Sequence, residues 1–205
     1  MQMSVELFAR FVSTVLVGLV VCGEPAHSAE ASGRFALISD IHFNPFDPPD
    51  VARQLVVAPL KDWPGIFSTI EEQRMAPWGR DTNFALLASS MSAFAKTAAE
   101  TDFALVPGDF LAHEFEKKAA EALGLDQADE KVRELAVKTT IFVGDGIARV
   151  LPGKPIILAL GNNDSDCGDY EITPGGRYLA DTRDLVRRLA GADLVESDFD
   201  ETYTA

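Results

Sequence analysis

Asp40 and His42 stand two residues apart, directly after the apolar run RFALIS (34–39). Asp109 follows a second such run, DFALV, through Pro107 and Gly108, and His113 comes four residues later. Asn162, Asn163 and Asp164 follow a third, Pro155–Leu160, through Gly161. A neutral imidazole and hard carboxylate oxygens together suit Zn²⁺, Mn²⁺ or Fe. Asp40 and His42 leave one strand end together and can converge on one ion. A carboxylate shared by two ions neutralises charge and fixes their separation. Two ions about 3.5–4 Å apart clamp a phosphoryl group and activate a water for in-line attack. Other chemistries lack their parts: there is no G-x-S-x-G, no P-loop and no G-x-G-x-x-G.

The elements that must position these residues are legible in outline. The three apolar runs read as strands buried on both faces, as in parallel sheets. Helical stretches are predicted between them. One starts from a cap at Asp81 or Thr82 and runs to about Ala99, with Phe84, Leu86, Leu87, Met91 and Phe94 at helical spacing. Two more are predicted over about 113–122 and 129–150, with Gly144 and Gly146 weakening the second. The last runs from Arg177 or Asp181 to Ala190, with a further strand expected at 193–195. Residues 50–80 are punctuated by Pro59, Pro64, Gly65, Pro77 and Gly79 and read as irregular, apart from a short helix near 64–73. Strands alternating with helices predict an α/β domain with a mainly parallel sheet. Ligands of such sheets gather beyond the carboxyl ends of the strands, where all three polar clusters fall. A strand-end aspartate taken singly is a turn former or helix cap. Three clusters on one rim point to a site. Capping is the primary expectation for Asp81; lining the cleft, together with Asn83, is the alternative.

The 205 residues are 47% hydrophobic and 24% charged, with a formal charge of −14. That balance argues against a general affinity for nucleic acid or anionic membrane, which needs Lys/Arg patches. Bound metal would still allow an acidic chain to hold an anion. Arg10 precedes an apolar run, Phe11–Val21, too short for the roughly 20 residues of a bilayer span. With Ala26-His27-Ser28 it predicts a secretory signal over 1–28 and a mature domain from 29 to 205, exported to the periplasm or outside the cell. No stable membrane span is then expected. The mature chain would keep His42, His113 and a single cysteine, Cys167.

Asp40-x-His42, Gly108-Asp109 and Gly161-Asn162-Asn163-Asp164 resemble the first three motifs of the calcineurin-like metallophosphoesterases: D-x-H, G-D and G-N-H-[DE]. "ISDIHFNPFDP" and "PGDFLAHEF" are similar to the acid-sphingomyelinase-like and endopolyphosphatase-like branch. The resemblance covers Phe35 to about Tyr178. It implies that Asp40 and His42 bind a first divalent metal, that Asp109 bridges to a second, and that Asn162 binds the second through its amide oxygen. It places His113 near the substrate, as a proton donor or charge stabiliser. Asn163 falls where the family carries its catalytic histidine; an amide there could only hydrogen-bond phosphoryl oxygens. Asp164 is expected to orient Asn162, Asn163 or their loop. The cofactors implied are two divalent ions, Zn, Mn or Fe. The substrate class implied is a phosphodiester, phosphomonoester or polyphosphate, with a lipid headgroup among the candidates.

The family adds histidine ligands from two later motifs, G-H and G-H-x-H, and this sequence has no histidine after His113. The expectation is therefore the N-terminal βαβαβ half of the family's sandwich. The alternative is a non-catalytic metal-binding remnant.

Overall fold

The computed structural model describes residues 33–71 and 74–190. The segment 1–28 expected to be a secretory signal and the strand expected at 193–195 lie outside these. Three parallel strands form one small open sheet: β1 (Phe35–Leu37), β2 (Phe103–Val106) and β3 (Ile156–Leu158), in the order β1-β2-β3. Phe35 pairs with Phe103, and Leu105 lies between Leu37 and Ile157. The domain is mixed α/β, as expected from the alternation of elements.

Six α-helices accompany the sheet among the described residues: α1 (Ala52–Val57), α2 (Trp63–Ser68), α3 (Phe84–Ala98), α4 (Phe115–Leu123), α5 (Glu130–Val150) and α6 (Arg177–Ala190). Two departures from the sequence reading have physical causes. The segment 50–80 holds two short helices, each continuing a 3-10 turn (Pro49–Val51 and Leu60–Asp62): α2 falls on the helix expected near 64–73 but ends at Ser68, and α1 is unexpected. Prolines stand at the first turns there, where the missing N–H would have no partner anyway. Helix α5 is unbroken through Gly144; a Cβ at that position would lie 2.7 Å from Leu185 of α6, so the glycine permits close packing.

Strand alternation divides the sheet into two unlike faces. Ala36, Ala104, Val106 and Ile156 are buried in the core, whereas Phe35, Leu37 and Ile157 are more than half exposed. The core continues beneath the strand ends. Phe43 is fully buried against Phe67 and Phe142 (ring centroids 5.9 and 5.8 Å apart), and Phe110, Leu111 and Ala112 are buried completely. The loops leaving β1 and β2 are thus anchored by apolar residues directly after their polar ones.

Candidate metal centre

The loop after β1 and the loop after β2 run side by side. Asp40 N–H donates to the Gly108 carbonyl (3.2 Å), His42 N–H to Asp109 (2.8 Å) and Phe43 N–H to Phe110 (2.8 Å). The pairing carries Asp40 and His42 past the sheet while keeping their backbone donors satisfied. Asp40, His42 and Asp109 all adopt left-handed backbone, with φ of 53°, 42° and 57°. Non-glycine residues take that conformation at a cost of about 1–3 kcal/mol each, and such positions cluster at functional sites.

The loop after β3 joins them through a contact between two glycines. Gly108 has φ +100°, and a Cβ on it would lie 2.1 Å from the Gly161 nitrogen; one on Gly161 would lie 2.2 Å from Asp109 Oδ1. Any side chain at either position would push the second and third loops apart. Asp164 then ties them. Its buried carboxylate accepts N–H bonds from Asp109 (2.8 Å), Phe110 (2.7 Å), Leu111 (3.1 Å) and Gly161 (2.9 Å). Burial pushes this carboxyl up to about 6, against the pull of those N–H groups and with the Asp109 charge adding to the rise. The expectation that Asp164 orients its own loop is thereby extended: it fixes the backbone of the Asp109 loop as well.

One ligand atom from each of Asp40, His42 and Asp109 lies within 4.8 Å of the other two. His42 Nδ1 contacts the Leu111 carbonyl at 3.1 Å. A carbonyl only accepts, so Nδ1 carries a proton and Nε2 is the ring nitrogen left to face an ion. That Nε2 lies 3.9 Å from Asp40 Oδ1, while Ser39 Oγ donates to Asp40 Oδ2. This is the arrangement by which an outer hydrogen bond sets the tautomer of a ligating histidine. The donor set fits one divalent ion. Asn162 and Asn163 stand beside it: Asn163 N–H donates to Asp109 Oδ1 (3.0 Å), and Asn162 Nδ2 donates to Asn163 Oδ1 (2.9 Å). The Asn162 amide thus spends a donor on its neighbour, and its Oδ1 is the atom that could meet an ion. Asn163 is buried, and its own Nδ2 has no hydrogen-bond partner among the described residues.

His113 stacks on His42, ring centroids 4.1 Å apart. Its Nδ1 lies 2.7 Å from Asp81 Oδ1, and Lys118 Nζ lies 2.5 Å from Asp81 Oδ2. Burial raises the Asp81 carboxyl, but the hydrogen bonds and charges of His113 and Lys118 outweigh it and hold the group below its usual range. Asp81 is therefore not a helix cap. Asn83 caps α3, accepting from Leu86 N–H at 3.1 Å. Asp81, His113 and Lys118 line an open cleft of about 560 Å³ together with Arg80, Asn44 and Asp47. Lys118 was not singled out in the sequence. It meets Asp81 across 37 positions, and no local pattern marks such a contact.

No protein-family model matches the chain, and no curated protein matches it either.

Proposed function

We propose that this chain belongs to the calcineurin-like metallophosphoesterases and contributes a metal centre that hydrolyses phosphate esters. The observation carrying this reading is the convergence of Asp40, His42 and Asp109 at the carboxyl ends of adjacent parallel strands. The left-handed backbone at all three positions supports it. Asp40, His42 and Asp109 would hold one ion, and Asp109 with Asn162 would hold a second. Bound divalent ions supply a polarised phosphoryl group and a water of lowered pKa.

The residues of the chain do the rest. His42 presents Nε2 because the Leu111 carbonyl holds the proton on Nδ1. His113, oriented by Asp81, keeps its Nε2 for the substrate side, where it can hold or deliver a proton to a leaving oxygen. Arg80 gives the adjoining cleft a cationic side chain suited to the remaining charge of a phosphate ester, and Lys118 offsets Asp81 there. Asn163 is bonded to Asn162 and Asp109, which suits a role in orienting Asn162. The finer fold expected, the N-terminal half of a two-sheet sandwich, is part of the same proposal; the bare face of the sheet supports it, because parallel sheets are ordinarily covered on both sides. Export to the periplasm or outside the cell remains part of it too.

A second reading, a metal-binding module without turnover, is favoured by the ligand count: among the described residues only one group of three His, Cys, Asp or Glu donors converges. Hydrolysis of bis(p-nitrophenyl) phosphate by the purified chain with Mn²⁺ or Zn²⁺ separates the two. The expected result is metal-dependent turnover that falls at least about 100-fold in Asp109→Ala. Turnover no higher than in that variant would overturn the enzymatic reading and leave the module.

A further inference from the structure

Trp78 is fully exposed, and Met75 is more than half exposed. Both sit on the segment 74–80, which reverses at Pro77–Arg80: Arg80 N–H donates to the Pro77 carbonyl (3.2 Å), with Gly79 at φ +80° in the third position. The base of the segment is pinned. Asn83 Oδ1 accepts from Ala76 N–H (3.1 Å), and Asn83 Nδ2 donates to the Arg74 carbonyl (2.7 Å). Thr82 N–H donates to the His42 carbonyl (2.9 Å), so the turn is tied to the loop of the candidate metal centre. Gly79 and Arg80 line the cleft beside His113, but Trp78 does not. The fold thus holds an indole in water, at the rim of the cleft, on a turn fixed at both ends.

We propose that the Trp78 turn is a peripheral docking element that seats its indole in the interfacial region of a zwitterionic bilayer. Tryptophan is suited to that region, with an apolar body and an N–H donor for the headgroup level. Two apolar residues are far short of the roughly 800 Å² that each partner brings to a stable protein–protein interface. Interfacial binding, by contrast, scales with whatever apolar area is buried and is weak and reversible at this size. Arg80, adjacent to the tip, suits a headgroup phosphate, whereas the charge of −14 disfavours a net anionic surface. Among the described residues no helix is long and apolar enough to cross a membrane, so a contact made by them is peripheral.

The chain has two tryptophans, and Trp63 is fully buried. The difference between the emission of the wild type and of Trp78→Ala therefore reports Trp78. With phosphatidylcholine vesicles the expected result is a blue shift of that difference emission and its quenching by brominated acyl chains. Co-sedimentation should fall at least about threefold in Trp78→Ala, as loss of the principal buried apolar group implies. Unchanged emission would overturn the proposal. So would equal sedimentation of the variant, which would assign binding to the bare sheet face, or binding to phosphatidylserine vesicles alone. No turnover is involved, so the outcome is separate from that of the phosphoesterase reading.

Discussion

At the scale of single residues, the aspartates divide by what surrounds them. Asp40 is exposed, Asp81 is held by His113 and Lys118, and Asp164 is buried under four N–H donors. Glu116, on α4, has only its own backbone N–H as compensation. Burial pushes its carboxyl from 4.5 to about 6, and the charges of Asp169 and Asp166 push the same way. Below pH 4.5 the group is protonated in the folded and unfolded chain alike and is neutral to stability. Between pH 4.5 and about 6 the unfolded chain ionises first, and stability falls as pH rises. Above 6 the full penalty is present. Glu116→Gln should therefore stabilise the domain by roughly 1 kcal/mol at pH 7.5, after allowance for solvent screening, and by little at pH 4. Urea unfolding at the two pH values measures the difference; an equal gain at both would refute the burial argument.

At the scale of elements, the loops beyond the sheet depend on the contact between Gly108 and Gly161. Gly108→Ala places a methyl group 2.1 Å from a backbone nitrogen at a positive φ, so the second and third loops must separate. Denaturant unfolding should show a loss of roughly 2 kcal/mol or more, together with weakened metal binding. Unchanged stability would mean that the loops are not held in contact. The three strands, and the helices α3 to α6, were legible because apolar runs and helical spacing are local signals. The short helix near 64 was legible too, whereas α1 was obscured by the proline that starts the 3-10 turn leading into it. The pairing of Asp81 with His113 and Lys118 was obscured for another reason: a carboxylate followed by an apolar helical pattern also fits a cap, and only the tertiary fold distinguishes the two. Asp40, His42 and Asp109 were legible because each ends an apolar run, and parallel strands bring such ends to one rim.

At the scale of the whole molecule, an acidic domain gathers three donors at one end of a sheet whose other face is apolar and about half exposed. The loops, their glycine contact and the Asp164 clamp hold those donors together, as the proposed metal centre would require. Titration calorimetry of Zn²⁺ or Mn²⁺ into the purified protein tests this most directly, with Asp109→Ala and His42→Ala alongside and their folding checked by circular dichroism. Saturable binding to the wild type, weakened at least about tenfold in each folded variant, is the predicted result. Equal affinity and stoichiometry in the wild type and both variants would contradict it.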